Sequence, residues 1–472
     1  MNEYLTLICE APAKFAKQPA IVDHDGTRVT DYETFGDLMF RTASWVNEKH
    51  FNSRKFIPVR FEASMEFAAC VCGVWLAGHV AVPMGKSFPD ERVKYICMNC
   101  EAPLVIDDSV IDEIKQTEIL DLSAFPGSEE EDEAFLLYTS GSTGMPKGII
   151  HKFSTLLDNQ KMGTSTMYGA GMPWALGAPF YFVASVVVYK IITYGGCVHL
   201  MDETTMRDVR KLEDYYEKHQ IAIGFISPSV LTNFHNRTES LKVVMTGSEK
   251  LTGQCGKDGY RLINNYGMSE TLGTITHFQV DKPYEQTPVG KPDENLEWAL
   301  LDDDMNPVPD GEEGELCVKG NFTPGYFKNP EATKKLYRGG WLHTGDILKM
   351  LPDGNLVYVN RKDWMVKING QRVEPGEIEN VIRAVDGVEN AVVKAIEGKD
   401  GKIFLSAYYT GEQMEDSELV EKISEKLPPY MIPAFFMYMD KLPINMNGKI
   451  DRKSLPEPDG MSKRSEYVPP EN

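Results

Sequence analysis

Short apolar runs alternate along this chain with longer stretches of mixed polarity. Leu104-Val105-Ile106, Phe135-Leu136-Leu137-Tyr138, 221–226 and 241–245 have the length and composition of buried strands. The first sixty residues open with an amphipathic helical pattern. A hairpin-like pair follows, Ala20-Ile21-Val22-Asp23 and Thr27-Arg28-Val29-Thr30, turning at Asp25-Gly26. A second helix is predicted near Tyr32 to His50. The most apolar run, Phe67 to Met84, is broken by Gly73, Gly78, His79 and Pro83. It predicts a buried helix and a strand rather than a membrane span. Residues 179–190 predict a turn followed by an apolar helix, and Pro352-Asp353-Gly354 predicts a hairpin turn ahead of Arg361. Strands alternating with helices imply βαβ units and a largely parallel sheet. No internal repeat or heptad array interrupts this pattern.

Size and charge narrow the picture. At 472 residues the chain is too long for one ordinary domain, so two or three are expected. A net charge of −21 argues against general binding to nucleic acid or to a membrane surface. From Arg361 onward 16 Lys and Arg face 20 Asp and Glu, a net −4, which leaves −17 for the part before it. The C-terminal part is therefore the side expected to meet an acidic partner. Met1 to Tyr4 lacks a basic region followed by an apolar core, so a cytoplasmic location is expected. The eight cysteines are expected to be reduced thiols. Cys97 and Cys100 with Cys70 and Cys72 have a zinc-like spacing, but a helix would turn Cys70 and Cys72 to different faces. The acidic run Glu129 to Glu133 reads as a solvated connection.

The chemistry centres on Thr139 to Gly148, Thr-Ser-Gly-Ser-Thr-Gly-Met-Pro-Lys-Gly, directly after a strand. Glycines at 141, 144 and 148 let backbone N–H groups approach an anion. Thr139, Ser140, Ser142 and Thr143 add hydroxyls, and Lys147 a point charge suited to phosphate. The spacing is not the Walker pattern. Without a preceding strand and further motifs, such a stretch would read as a flexible surface loop.

This stretch resembles the phosphate loop of the adenylate-forming superfamily: acyl-CoA synthetases, luciferases and the adenylation domains of nonribosomal peptide synthetases. Four later stretches resemble that superfamily's motifs in the same order: Asn264 to Glu270, Trp341 to Asp346, Arg361 to Glu379 and Leu442 to Arg452. The resemblance runs from about Phe15 to Leu455. It is nearest to a stand-alone peptide-synthetase adenylation domain. It implies an α/β fold: a large N-terminal domain, 1–361, of mostly parallel sheets flanked by helices, plus a small mobile C-terminal α+β domain, 362–472, hinged near Asp363. It also implies an ATP site with Mg²⁺. Thr139, Ser140, Gly141, Ser142, Thr143, Gly144 and Lys147 would cradle phosphates. Asn265, Tyr266, Gly267 and Ser269 would border the nucleotide, with Tyr266 against adenine and Glu270 on Mg²⁺. Asp346 would take the ribose hydroxyls, Arg361 a ribose or phosphate oxygen. Lys449 would be the catalytic lysine, and Lys367 to Gly370 would border a pantetheine tunnel.

The implied reaction activates a carboxylic acid as acyl-AMP, releases pyrophosphate and passes the acyl group to a thiol. The implied acid-binding positions are Val183, Ala184, Val187, Phe225, Val244, Thr246, Gly273 and Thr274, together with Asn265. Amino-acid-activating members hold the substrate ammonium with an aspartate where this chain has Val183. An ammonium buried without a carboxylate is costly, so the acid is expected not to be a standard α-amino acid. A one-residue shift of register, or another acidic residue, would reopen that reading. Two acceptors stay open: a carrier protein bound in trans, favoured by the stretch after Val366, and free CoA, toward which Tyr266-Gly267-Met268-Ser269-Glu270 leans. Nothing points to a luciferase-like oxidation. A non-catalytic nucleotide-binding regulator is the alternative from another class. The presence of Lys147, Glu270, Asp346, Arg361 and Lys449 argues against it.

Overall fold

In the computed structural model all residues are described except 142–144, 162–168, 257–258, 363–364, 369, 399–401, 444–449 and 459–472. The chain forms two compact units. The first comprises Met1–Lys86, Cys97–Tyr138 and Gly148–Lys362. The second comprises Ser87–Ile96, Thr139–Lys147 and Asp363–Asn472. Two segments remote in sequence thus cluster with the C-terminal region.

Several local expectations are met, some within shorter bounds: Leu104-Val105-Ile106 is strand only from Ile106, and 221–226 only at Ile223–Phe225. Pro19–Val22 and Val29–Asp31 pair antiparallel, and Tyr32–Asn47 is a helix. Asp31 caps that helix by accepting the Thr34 N–H, which satisfies one donor that the first turn leaves open. The apolar run beginning at Phe67 is the helix Met65–Leu76, capped by Ser64 and buried on every side except Glu66, then the strand Val80–Gly85. Such a helix has no polar face to give to water and must sit in a core. Each large side chain it buries stabilises the fold by about 1.5–3 kcal/mol.

Among the described residues, the first unit holds a nine-stranded and a five-stranded sheet in which most neighbouring strands are parallel. A third sheet is antiparallel, built from Glu297–Leu301, Glu313–Lys319, Tyr337–Arg338, Trp341–Met350 and Leu356–Arg361. Its last hairpin turns at Pro352-Asp353-Gly354, as the sequence predicts: Gly354 N–H donates to the Leu351 carbonyl at 2.8 Å. The third sheet as a whole is not legible from apolar runs, because its strands carry polar residues at buried positions.

The second unit has its own core around Val373, Ile378, Ile382, Leu419 and Met431. The helix Pro375–Arg383 covers the long hairpin of Val388–Glu397 and Ile403–Gly411.

Candidate functional site

The first unit brings two motif residues onto the carboxylate of a third. Tyr266 lies near the end of the strand Arg261–Met268, and its hydroxyl donates to Asp346 Oδ2 at 2.7 Å. Arg361 Nη1 donates to Asp346 Oδ1 at 2.8 Å. Asp346 and Arg361 are also ladder partners on adjacent antiparallel strands, so the sheet register itself sets this ion pair. Asp346 is buried. The Tyr266 hydroxyl is pushed well above its ordinary range, first by burial and then by the Asp346 charge.

Glu270 stands in the turn Ser269–Thr271 just after Tyr266 and is fully buried. The Tyr326 hydroxyl donates to one of its carboxylate oxygens, and Thr323 N–H donates to its backbone carbonyl. His151, on the strand Lys147–Lys152, is buried within reach of this charge. Burial pushes its ring down to about 4, with the Glu270 charge pulling the other way. The ring is therefore neutral at pH 7.

Asp346 occupies a deformed part of its strand. Trp341–Met350 pairs with Glu313–Lys319 through Cys317↔His343 and Glu315↔Ile347, with a register shift between. Thr344, Gly345 and Asp346 thus oppose the single residue Leu316. Glu315 Oε1 accepts the Gly345 N–H at 3.0 Å, and Thr344 Oγ1 donates to the Leu316 carbonyl at 2.7 Å. Glu315, Tyr326 and His151 were not singled out by sequence reasoning. The one signal available is a polar residue at an inward strand position, which is common without function.

The second unit holds the start of the expected phosphate loop. Thr139 is half-buried at a strand end, and Ser140 is buried with its hydroxyl donating to the Arg372 carbonyl at 2.8 Å. Gly141 N–H donates to Glu377 Oε2 at 2.9 Å, and Glu377 Oε1 accepts from Arg92 Nη1 at 2.7 Å. A side chain at 141 would put its Cβ 2.1 Å from the Met145 carbonyl oxygen, so only glycine fits. Lys147 is half-buried at the start of the next strand. Gly370 closes the hairpin of Val366–Ile368, which carries Lys367, and Gln371–Val373. Ser142, Thr143, Gly144, Asp363 and Lys449 lie outside the described residues.

The expected acid-binding positions divide over the first unit's large sheet. Phe225 pairs with Met245, and Gly247 with Asn265. By strand alternation these share one face, while Val244 and Thr246 take the other. Val244 is buried in a cluster with Tyr216, Phe234 and Leu262. Thr246 is fully buried, and its hydroxyl has no hydrogen-bond partner among the described residues. Gly267, Gly273 and Thr274 meet where the Arg261–Met268 and Gly273–Gln279 strands pair. Val183 and Val187 are half-buried and Ala184 is exposed.

Among the described residues, one group of three offers metal-type donors: Glu315, Cys317 and His343, whose atoms lie within 4.8 Å of one another. Lys362 Nζ and Arg338 Nη2 approach the same Glu315 oxygen at 3.0 and 3.4 Å. Burial pushes the Cys317 thiol up to about 12, far from the thiolate a metal needs. The group is a charge network closed by cations. Cys70, Cys72, Cys97 and Cys100 form no such group among the described residues.

Comparison with known proteins gives the family and the fold. The profile of the AMP-binding enzyme family matches residues 9–327, and that of the AMP-binding enzyme C-terminal domain matches 377–449. Bacitracin synthase 1 of Bacillus licheniformis is 33% identical over 93% of this chain, which spans 9% of that protein. Tyrocidine synthase 1 of Brevibacillus parabrevis is 30% identical over 98% of the chain, which spans 46% of it. The chain thus covers less than half of either relative. The fold matches o-succinylbenzoate CoA synthetase from Bacillus subtilis with a TM-score of 0.83 at 21% identity, covering 96% of this chain and 98% of that one. It also matches an artificially fused adenylation–PCP di-domain from Klebsiella oxytoca, with a TM-score of 0.80 at 19% identity, covering 92% and 93%. No helix among the described residues is long and apolar enough to cross a membrane. With its N-terminal profile covering more than half the sequence and its C-terminal profile following in order, the chain belongs to the AMP-binding enzyme family, the adenylate-forming ligases.

Proposed function

We propose that this chain activates a carboxylic acid other than a standard α-amino acid and delivers it to the phosphopantetheine thiol of a carrier protein. The observation that carries the nucleotide side is the Asp346 carboxylate, held by Tyr266 on one oxygen and Arg361 on the other. Such a carboxylate is oriented to accept the paired hydroxyls of a ribose. The anion side is supported by the Gly141 N–H, which already donates to the Glu377 carboxylate, a stand-in for a phosphate oxygen.

In the first step a carboxylate oxygen of the acid attacks the α-phosphorus of ATP in line. The bond from that phosphorus to its β-bridging oxygen breaks, and pyrophosphate leaves. Lys147 and the loop N–H groups hold the departing phosphates, and Lys449 steadies the meeting of two anions. The buried Glu270 carboxylate suits a hard cation; Mg²⁺ held there supplies charge withdrawal from the phosphoryl oxygens. In the second step a thiolate sulfur attacks the acyl carbon, AMP leaves with the bonding electrons, and the thiol proton passes to solvent. The C-terminal part turns about Asp363 to exchange the Lys449 face for the Lys367–Gly370 face.

Val183 supports the exclusion of an α-ammonium. Relatives named as peptide synthetases, and a similar fold fused to a carrier, favour a carrier as acceptor. Free CoA is the second reading, favoured by Met268-Ser269 within the motif and by a CoA synthetase with the same fold. ATP–pyrophosphate exchange over a panel of aryl, hydroxy, keto, acyl and amino acids tests the first step. Non-amino acids are expected to lead. Exchange with none of them, or with standard amino acids alone, overturns the reading. Thioester formation with CoA against a pantetheinylated carrier then separates the two acceptors.

A further inference from the structure

The bulge that carries Asp346 needs something to hold its shape. Two extra residues on one strand leave backbone groups off the ladder, and buried N–H groups of that kind must find acceptors. Gly345 sits at φ +72°, where only glycine is at ease. Its N–H donates to Glu315 Oε1 at 3.0 Å, and its carbonyl accepts the Lys362 N–H at 2.9 Å. The second Glu315 oxygen accepts from Lys362 Nζ at 3.0 Å and lies 3.0 Å from His343 Nδ1. Glu315 is itself buried. A single carboxylate therefore fastens the residue before Asp346 and the residue after Arg361, the two side chains that meet as an ion pair.

We propose that Glu315 is the positioning residue of the ribose site: it touches no nucleotide, but fixes the bulge that aims Asp346. This rests on Asp346 being the ribose contact. Glu315 reaches both neighbours because one oxygen faces the bulge and the other Lys362. Glutamine keeps an acceptor for the Gly345 N–H but loses the charge facing Lys362 and Arg338. Aspartate keeps the charge but is one methylene too short to serve both.

The test is pyrophosphate exchange with ATP and with 2′-deoxy-ATP, in the full chain and in Glu315→Ala, Glu315→Asp, Glu315→Gln and Asp346→Ala. Loss of positioning should raise KM for ATP about tenfold or more in Glu315→Ala, with kcat changed less than about threefold. The preference for ATP over 2′-deoxy-ATP should fall with it. Glu315→Asp should shift both in the same direction, and Glu315→Gln should recover most of the preference. A purely structural role would lower the folded fraction and leave KM and the nucleotide preference as they were. The proposal fails if Asp346→Ala loses the preference while Glu315→Ala, or Glu315→Asp where the alanine variant does not fold, keeps it. If Asp346→Ala itself keeps the preference, the ribose reading falls and this proposal with it.

Discussion

Two buried carboxylates, one in each unit, are built alike and reached by different routes. Asp346 gives one oxygen to Arg361 and the other to the Tyr266 hydroxyl. Glu377 gives one oxygen to Arg92 and the other to the Gly141 N–H. The first pair joins neighbours in one antiparallel ladder, 15 residues apart in sequence. The second joins residues 285 apart, on segments that only tertiary packing brings together. The first site is thus preset by strand register, and the second is an assembled contact that a competing anion can contest.

The largest expected effect comes from Lys449→Ala. If the first unit's site is preset, this variant should still bind ATP within a few-fold, while exchange falls by roughly a thousandfold for lack of the stabilising cation. Equilibrium binding beside exchange reads both, and joint loss would break the division between a binding unit and a reacting one. Next is Glu377→Gln. Taking one charge from a buried pair costs about 3–5 kcal/mol of stability, so the urea midpoint should drop clearly. Exchange should change by less than about tenfold, since the amide oxygen can still accept the Gly141 N–H. An unchanged midpoint would mean the contact holds nothing together.

The third comparison is with pH. His79, His151 and His199, all in the first unit, are each pushed by burial from 6.5 down to about 4. The unfolded chain then binds more protons than the folded one between those values. Their contribution is complete above about 6.5 and is lost as pH falls through about 4. The urea midpoint at pH 5 should lie below that at pH 7, and a flat profile would contradict burial of these rings.

The hairpin of 20–30, the helix from Tyr32 and the helix–strand run from Phe67 were legible because periodicity and turn residues act over a few positions. Tyr266, Asp346 and Arg361 were legible as motif residues, and the hairpin at Asp353-Gly354 foreshadowed the pairing of the last two. Glu315 and Tyr326 were not, since their partners are set by a register shift and a distant turn. Glu377 and Arg92 appear in the sequence without any hint that they meet. The antiparallel third sheet escaped because its buried polar groups, Glu315, His343 and Asp346 among them, blur the alternation that marks a strand.

The imidazole beside Glu270 has a further meaning for the Mg²⁺ site proposed there. A histidine in water gains a positive charge just below neutrality; His151 stays uncharged down to about pH 4. Across the mildly acidic range it would neither repel a dication at the proposed site nor cancel the Glu270 charge. The same burial that makes the ring a weak point for folding in acid would make it a silent neighbour for a cation held at Glu270.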